Sequence, residues 1–325
     1  MFERITSRLL ALACMMLVGL ACSDNPVLKP TPLGVSVGPY HACARYAESV
    51  QCWGAVDTPT ETVNYGQALT PTLSHPKAVA AGLFHTCAID DTGLQCWGAV
   101  CPPEVPECAA AELNDLITPP PFNHPIAVAA GLVHTCAVDE NGNETTVECW
   151  GNNDNGQLDV PVLQHPRAIS VGAFHSCALD DSGVVCWGAV PTQENPDIDF
   201  GQAAVPLLDH PIMINASVTD TCTIDAGGVE CWGLNDLLET LTQWRIPVLD
   251  RPTDVSLSGN VGCAIDANGL TCWNGNVDDN HIISNLPSFS LPQSVAVGLT
   301  DYACAIDVSG VVCCGNNDYQ QLVHP

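Results

Sequence analysis

The sequence repeats one short unit seven times, and this repeat constrains the fold more than any other feature. Each copy contains an apolar segment and a pair of cysteines, which lie nine residues apart in six of the seven copies. In six copies a tryptophan follows the second cysteine, and consecutive copies start about 44 residues apart, a period typical of the four-stranded blades of β-propellers. We therefore predict an all-β fold, a single seven-bladed β-propeller with four-stranded blades, over residues 27–325. The cysteine pairs are Cys43 with Cys52, Cys87 with Cys96, Cys136 with Cys149, Cys177 with Cys186, Cys222 with Cys231, Cys263 with Cys272, and Cys304 with Cys313.

The second copy shows how one unit is expected to fold. Its apolar runs and turn residues predict strands over residues 78–82, 85–90 and 94–98, preceded by an outer strand and turn. Asp91 and Thr92 then form a two-residue hairpin tip, which places Cys87 directly opposite Cys96. Opposed antiparallel positions bring Cβ atoms to about 4.5–5.5 Å, close to disulfide reach. We predict one disulfide inside each blade.

The cysteine content and the N-terminus both predict export. The chain has 19 cysteines without the spacing of a zinc site, which favours disulfides and an oxidising compartment. Residues 1–21 contain two arginines, an apolar run too short to span a membrane, and small residues before Cys22. This arrangement predicts a secretory signal peptide over residues 1–21.

Cys22 is a candidate lipidation site. The four residues ending in Cys22 resemble a bacterial lipobox, and the resemblance implies cleavage before Cys22 and a lipid on that residue. Gly19 stands where the motif usually has leucine, so ordinary cleavage after Ala21 is an open alternative. With the lipid, residues 22–26 would be a short anchor segment and the protein a lipoprotein attached to a membrane of the bacterial cell envelope.

The repeat unit resembles the regulator of chromosome condensation repeat. The resemblance rests on the pattern His-Thr-Cys-Ala … Cys-Trp-Gly-Asn-Asn with a following Gln-Leu, clearest over residues 128–158. It covers residues 27–325 and implies a seven-bladed β-propeller that binds proteins through loops on one face. The last three copies depart from the pattern, because Asp220, Val261 and Tyr302 lie near or at the position of a repeated histidine.

The first and last segments of the chain are predicted to share a blade seam or to abut at it. The sequence stops shortly after Gln321 and Leu322, before the Pro-Val-Leu segment that follows the same dipeptide at residues 157–158. Residues 26–38 supply a matching segment at the N-terminus. Such an arrangement removes the open sheet edges that invite aggregation.

Four cysteines of the predicted mature chain lie outside the repeated pairs. Cys101 and Cys108 belong to an insertion that no other copy has, and we predict that they form an eighth disulfide. Cys22 and Cys314 remain. A lipid on Cys22 would leave Cys314 as a lone thiol, whereas an unmodified Cys22 could bridge to Cys314 at the seam of the ring, and the cysteine count does not decide between these states.

The repeated histidines and tryptophans are interpreted as structural. One histidine set shares a blade position, but equivalent positions in a ring lie far apart, so we predict hydrogen bonds within each blade rather than a metal site. A second set always precedes proline and indicates turns, and the tryptophans are expected to pack between blades. The first set is His41, His85, His134 and His175, and the second is His75, His124, His165 and His210.

Catalytic and metal-binding motifs are not found in the sequence. There is no nucleophile elbow, no zinc-protease helix motif and no phosphate-binding loop. Residues 88–97 approach the motifs of sialidase-like and quinoprotein propellers, but the spacing is wrong for both. The Asn/Asp/Gly segment 152–156 lacks EF-hand spacing. We predict no catalytic residue, no metal and no cofactor.

Charge and loop variation lead to the functional prediction. Eight Lys and Arg against 36 Asp and Glu give a net charge of -28, which disfavours nucleic acid as a partner. We predict a monomeric, non-enzymatic interaction module that binds an unidentified envelope or extracellular protein. The segments that differ between copies are 57–67, 101–117, 193–200 and 237–245, and the aromatic candidates for partner binding within them are Tyr65, Phe200 and Trp244.

Two other classes are kept as alternatives. A secreted propeller enzyme, a hydrolase, lyase or quinoprotein-like protein, would need converging carboxylates, and the candidates are Asp57, Glu61, Glu194 and Asp197. A purely structural envelope protein would bind no stoichiometric partner and would tolerate loop substitutions.

Overall fold

A computed structural model describes residues 31–58, 62–100, 110–193, 196–233, 246–259, 261–274, 289–300 and 302–322. The predictions for the signal peptide, for Cys22, for the pair of Cys101 and Cys108 and for Trp244 therefore lie outside the described residues. No helix in the described part of the chain has the length and apolarity needed to span a bilayer.

The described strands form seven antiparallel sheets of three strands each, which we call blades 1–7 in chain order. The first strands of the blades are β1 (Gly34–Val37), β4 (Ala78–Ala81), β7 (Pro125–Ala130), β10 (Ala168–Val171), β13 (Met213–Ala216), β16 (Asp254–Ser258) and β19 (Ser294–Gly298). The middle strands are β2 (His41–Arg45), β5 (His85–Asp90), β8 (His134–Asn141), β11 (His175–Asp180), β14 (Asp220–Asp225), β17 (Val261–Asp266) and β20 (Tyr302–Asp307). The third strands are β3 (Val50–Gly54), β6 (Gly93–Gly98), β9 (Glu144–Gly151), β12 (Gly183–Gly188), β15 (Gly228–Gly233), β18 (Gly269–Asn274) and β21 (Gly310–Gly315).

The predicted hairpins are confirmed. In blade 2, Cys87 is the register partner of Cys96 and Asp90 that of Gly93, so Asp91 and Thr92 form the tip. Blade 3 keeps the same arrangement: its strands extend by two further residue pairs, to Asn141↔Glu144, and its tip is again two residues long. The register of the repeat is therefore the same in a short hairpin and in a long one.

The predicted disulfides inside the blades are confirmed as well. In all seven blades the two repeated cysteines face each other across the middle and third strands and are bonded. The repeat therefore encodes a stapled hairpin. The bonded pairs are Cys43 with Cys52, Cys87 with Cys96, Cys136 with Cys149, Cys177 with Cys186, Cys222 with Cys231, Cys263 with Cys272, and Cys304 with Cys313.

The fourth strand of each blade is not confirmed, because the described sheets have three strands. The segments expected to form it contain prolines, such as Pro161 and Pro166, which cannot donate to a strand ladder. They also end in residues with positive φ, among them His75 at 49° and His165 at 50°. These outer segments are irregular, and the predicted turns at the second histidine set are present.

One short helix departs from the all-β prediction. The helix α1 spans Ala110–Leu116 in the segment that was expected to be a loop between blades 2 and 3. Its composition of Ala, Glu and Leu favours helix. The carbonyl of Leu116 accepts a hydrogen bond from Trp150 Nε1 at 3.0 Å, so the helix ends against blade 3.

A repeated aspartate at the end of each middle strand except β2, or two residues before the end in β8, binds the outer segment through its carboxylate. Asp180 is buried, and its carboxylate accepts backbone N–H bonds from Gln164 at 2.7 Å and from Ser182 at 2.7 Å. Burial acts to raise the pKa of Asp180, but these hydrogen bonds outweigh it and the pKa is lowered. The outer segment does not pair with the sheet as a fourth strand, and the carboxylate of Asp180 holds it through a hydrogen bond instead.

The hydrophobic core is divided among the seams between consecutive blades. In the seam between blades 2 and 3, Cys87 packs with Trp150 and Ala137. In the next seam Cys136 packs with Trp187. The last blade meets the first in the same way, because Cys304 packs with Trp53. The prediction that the tryptophans pack between blades is confirmed.

Hydrogen bonds also connect the seventh blade with the first. Tyr302, which is fully buried, directs its hydroxyl to the carbonyls of Gly38 and His41 at 2.7 and 2.6 Å. Trp53 Nε1 donates to the carbonyl of Gln321 at 2.7 Å, across 268 positions of sequence. The two ends of the described chain are therefore neighbours.

Replacement of Asp180 by alanine should lower the free energy of unfolding by about 2–3 kcal/mol, because it removes the charged acceptor of two backbone N–H groups and of the Ser182 hydroxyl. Urea denaturation measures this loss. The matched control is Asp181→Ala, since Asp181 is the next residue and has a side chain that is 61% exposed. We expect that control to change stability by less than about 0.5 kcal/mol. Equal losses in both variants would contradict the role given to Asp180.

Candidate interaction face

The two ends of the blades differ in chemistry, and each end is built from the same parts in every blade. Middle strands start, and third strands end, at one end, as the register pair His85↔Gly98 shows. We call this end the loop face, because it carries the connections at residues 38–40, 82–84, 131–133 and 172–174 and the segments that follow the third strands. The opposite end, with the hairpin tips, is the hairpin face.

A belt of histidines joins the first five blades just beneath the loop face. His85 Nε2 lies 2.6 Å from Thr135 Oγ1 of the next blade, and His175 Nε2 lies 2.9 Å from Thr221 Oγ1. His41 pairs in the same way with Thr86, and His134 with Ser176. The prediction that these histidines bond within their own blades is wrong, because each ring crosses the seam.

The hydroxyl groups fix the tautomer of three of these rings. Thr221 Oγ1 donates its proton to the carbonyl of Gln202 at 2.9 Å, so its oxygen is left to accept a proton from His175 Nε2. The same argument holds for Thr86 with Gln67 and for Ser176 with Gln157. The rings of His41, His134 and His175 therefore carry a proton on Nε2.

In His41, His85 and His175 the Nδ1 side of the ring lies against the backbone of the glycine three residues earlier. A Cβ at Gly82 would lie 2.9 Å from His85 Nδ1 and 2.6 Å from the carbonyl oxygen of Gly131. Glycine is therefore needed three residues before this histidine, because no other residue leaves room for both the ring and the next blade. The belt is a packed structural element without space for a ligand on this side.

Burial makes these histidines hard to protonate. Desolvation lowers the pKa of His41, His134 and His175 to about 3 and that of His85 to about 4, from an ordinary value of 6.5. A neutral ring that donates through Nε2 agrees with these values.

Whether a blade carries a hydroxyl at its seam depends on whether the preceding blade has a histidine in the belt. Blades that follow a histidine carry Ser or Thr opposite their tryptophan. Blade 6 instead has Gly262, after Asp220 in blade 5, and a Cβ there would lie 2.6 Å from the indole of Trp273. Seams 5/6 and 6/7 are joined nearer the axis, where Asn215 Oδ1 accepts from Leu257 N at 3.0 Å and Ser256 Oγ from Val297 N at 3.0 Å.

Buried glutamines anchor the segments that reach the loop face. Gln67 and Gln202 are fully buried, and their side chains bond the backbone on both sides of a tight turn. Tyr65 N and Phe200 N are the donors, each at 2.6 Å from the glutamine oxygen. Sequence reasoning missed these glutamines, although the Gln-Leu dipeptide was part of the repeat.

Tyr65 and Phe200 occupy equivalent positions, two residues before a buried glutamine, and both are half-buried. The ring of Tyr65 packs edge-on against Phe84 at a centroid distance of 4.6 Å. Part of each ring therefore belongs to the packing of the loop face and part is open to solvent. Their role in partner binding stays a prediction.

The carboxylates considered for catalysis are not brought together by the described residues. Asp57 Oδ1 accepts N–H bonds from Val63 and Asn64 at 2.8 Å and so closes a turn. Asp197 belongs to the segment after blade 4, whereas Asp57 follows blade 1. Glu61 and Glu194 lie outside the described residues. Within the described residues no group of three or more His, Cys, Asp or Glu is placed to hold a metal ion.

Charge is segregated between the two faces. All four described Lys and Arg residues lie at the hairpin end, where Lys77 pairs with Asp91 at 3.0 Å and Arg251 with Asp250 at 3.2 Å. The exposed histidines of this face also pair with carboxylates, as His165 does with Asp181 at 2.9 Å. The loop face has seven exposed aspartates and none of the described Lys or Arg residues: Asp57, Asp115, Asp154, Asp159, Asp197, Asp199 and Asp318.

The loop face also exposes apolar side chains. Leu69 and Val100 are 76% and 63% exposed, and both approach Gly66. Val190, after blade 4, is 55% exposed. Other exposed apolar residues lie on the outer rim, where Leu207 is fully exposed.

A central cavity of about 340 Å³ is lined by the first strands of the blades. Blades 2 and 3 line it with small apolar residues, whereas blade 6 contributes Asp254 and Ser256. Asp254 accepts an N–H bond from Val295 at 2.9 Å, and burial raises its pKa to about 6. This carboxylate joins blades 6 and 7 along the axis.

The comparison with protein families identifies the repeat. The model of the Regulator of chromosome condensation (RCC1) repeat matches residues 126–157 and 167–189, which form blades 3 and 4. Blades 3 and 4 are therefore similar to RCC1 repeats. The resemblance noted in the sequence is thereby confirmed. No curated protein was found to match the sequence.

Solved structures share the fold over most of the chain. The CRINKLY WD40 ectodomain of the Arabidopsis thaliana receptor kinase ACR4 is 19% identical, with a TM-score of 0.58 over 88% of this chain and 95% of that one. The ectodomain of the Physcomitrella patens receptor kinase CR4 is 19% identical, with a TM-score of 0.63 over 89% and 74%. Human WBSCR16 is 13% identical, with a TM-score of 0.58 over 89% and 88%. These similarities establish a β-propeller fold.

The buried histidines predict a steep loss of stability in acid. Below pH 6.5 the unfolded chain binds protons at these four residues while the folded protein does not, so their contribution is complete above pH 6.5 and is lost toward pH 4. Each histidine should remove about 1.4 kcal/mol per pH unit across this window. Urea denaturation between pH 7.5 and 5 measures the slope. His134→Gln should lower the slope below pH 6.5 by about 1.4 kcal/mol per pH unit, and an unchanged slope would contradict the assignment.

Proposed function

We propose that this protein is an exported, non-enzymatic interaction module whose loop face binds a cationic protein of the bacterial envelope or the extracellular space. The observation that carries the proposal is the contrast between the two faces. On the hairpin face Lys77, Arg167, Arg251 and the exposed histidines are paired with carboxylates. The described residues of the loop face offer seven aspartates and exposed apolar side chains without a counter-charge. Charge complementarity of this kind favours association with a positively charged surface.

The scaffold suits recognition because it holds the loop face rigidly. The histidine belt and the buried glutamines fix the backbone directly beneath the variable segments. A pre-ordered surface loses less conformational entropy when a partner binds. The segments predicted to differ between blades all follow third strands, so the chain enters each of them from the loop face.

Export is supported by the disulfides. Seven bridges inside small hairpins are typical of proteins that mature in an oxidising compartment. The predicted signal peptide agrees with this location. Attachment to a membrane depends on the chemical state of Cys22, since a lipid on this residue would anchor the ring close to the bilayer.

Site-specific photocrosslinking tests the proposed binding face. A benzophenone amino acid is introduced at Val100 or Val190 on the loop face, and at Leu207 on the rim or Val308 on the hairpin face as matched exposed controls. In the producing organism, both loop-face positions should give the same discrete adduct and the controls should give none. Adducts only from the controls would place the interface elsewhere. The absence of any adduct would favour a purely structural ring.

The charge argument makes a separate prediction for the partner so identified. Replacing Asp154, Asp159, Asp197 and Asp199 by asparagine should weaken binding at low salt by roughly tenfold or more, a loss of about 1.4 kcal/mol. The control changes the same number of charges on the hairpin face, with Glu48→Gln, Asp91→Asn, Asp181→Asn and Asp209→Asn. Isothermal titration calorimetry compares the two variants. Equal weakening would show that net charge, not the loop face, governs the interaction.

A further inference from the structure

The loop face of blade 2 has a notch with a glycine as its floor. Leu69 N donates to the carbonyl of Gly66 at 3.0 Å, which closes the turn. Val100 N donates to the carbonyl of Tyr65, also at 3.0 Å, and so lies beside the same turn. A Cβ at Gly66 would lie 3.7 Å from Val100 Cγ2 and 3.9 Å from Leu69 Cδ1. Both are van der Waals distances, so the notch between the two side chains has room for an aliphatic carbon of a partner.

The walls of this notch are exposed although they are apolar. Leu69 is 76% and Val100 is 63% exposed. Val100 follows Ala99, which has a φ of 54° and donates its N–H to the carbonyl of Phe84 at 2.7 Å. Left-handed backbone at a residue other than glycine costs free energy, which the surrounding contacts must offset. The fold therefore holds the valine at the surface and not inside a seam.

Blade 4 repeats the notch with one wall changed from leucine to aspartate. Asp159 N donates to the carbonyl of Gly156 at 3.1 Å, as Leu69 N does to its glycine in blade 2. A Cβ at Gly156 would lie 3.3 Å from Asp159 Oδ2 and 3.3 Å from Val190 Cγ2. Asn153 Nδ2 donates to the other carboxylate oxygen of Asp159 at 3.0 Å. The two notches therefore share one backbone design and differ in the chemistry of one wall.

In blade 1 the same turn has no glycine. Val56 N donates to the carbonyl of Tyr319 at 3.3 Å, which repeats the contact of the valine in blade 2. Gln320 then stands where blades 2 and 4 have Gly66 and Gly156, and its φ is 59°. The turn thus accepts a residue with a side chain, so the backbone alone does not require an open notch in blades 2 and 4.

We propose that the two notches bind two side chains of one cationic partner segment, an aliphatic or aromatic side chain in blade 2 and a lysine or arginine in blade 4. This inference rests on the proposed function and names the side chains that the loop face recognises. Charge complementarity selects such a segment, because the loop face has seven exposed aspartates and none of the described Lys and Arg residues.

Each notch matches its side chain in chemistry. An apolar side chain in blade 2 removes water from both Leu69 and Val100, which favours binding in proportion to the apolar area buried. A basic side chain in blade 4 lays its methylene groups on Val190 and places its charged end beside Asp159. Salt screens the second contact and not the first, so the two contributions can be measured separately.

Synthetic peptides test the notches on the full-length mature protein without the natural partner. The probe is a fluorescent peptide of repeated Lys-Gly-Leu-Ser units, and two analogues replace its leucines by serine or its lysines by glutamine. Fluorescence anisotropy should show tighter binding of the probe than of either analogue. Failure of the probe to bind, or equal binding of the probe and the leucine-free analogue, would overturn the proposal.

Variants assign each contribution to its notch. Leu69→Ala should weaken binding of the probe by about fivefold and leave the leucine-free analogue unaffected. Asp159→Asn should weaken both peptides by about three- to fivefold at low salt and have little effect at high salt. The matched exposed controls are Leu207→Ala and Asp209→Asn, which lie outside the loop face. Equal losses in the notch variants and the controls would show that the peptide does not use the notches.

A third variant closes the blade 2 notch without removing its walls. Gly66→Gln introduces the residue that blade 1 carries at this turn and should abolish the preference for leucine. A preference that survives this change would count against the notch. Peptide binding and photocrosslinking of the natural partner fail independently. Loop-face adducts without notch-dependent peptide binding would leave the proposed function in place and remove this inference, and the converse result would remove the envelope partner alone.

Discussion

The joints between several blades depend on one kind of hydrogen-bond acceptor, the backbone carbonyl of a buried glutamine. In blades 2, 4 and 5 the carbonyl of a buried glutamine accepts both the indole N–H of the tryptophan, at 3.0 Å, and the hydroxyl of the residue opposite that tryptophan. The hydroxyl then accepts the imidazole N–H from the preceding blade. Each such bond contributes about 1 kcal/mol on its own. Together they define the angle at which neighbouring blades meet and the height of the loops above them.

Sequence alone predicted the hairpins well, because the spacing of the cysteines and the two-residue tip specify the register without any tertiary information. The fourth strand could not be predicted reliably, since proline and the aspartate that caps the tip both compete with a ladder. The direction of the histidines was missed because a repeat gives the same position in each blade but not the seam toward which a ring points. The sequence does carry a signal for it, because the position opposite the tryptophan is Ser or Thr only in the blades that follow a repeated histidine.

The charge of the loop face could be predicted only with knowledge of the strand topology. Asp154 and Asp181 are both exposed aspartates in the sequence of neighbouring blades, yet one follows a third strand and the other forms a hairpin tip. Only the pairing of strands assigns them to opposite faces. Tyr65 and Phe200 looked like isolated aromatics, but the glutamine two residues later makes them members of the repeat. Both residues therefore have a structural role, and only the exposed part of each ring is open to a partner.

The distribution of the belt residues also bears on how the number of blades is set. Blades 2, 3 and 4 each carry a hydroxyl at one seam and a histidine at the other. The histidine of any of these three blades can therefore bond the hydroxyl of any other. Blade 1 has only the histidine and blade 5 only the hydroxyl, which makes them the ends of this series. If blade 2, 3 or 4 were removed or duplicated, every histidine and hydroxyl of the belt would still have a partner. The hydrogen bonds between blades thus allow a change in blade number. The number of blades is limited instead by the curvature of the ring.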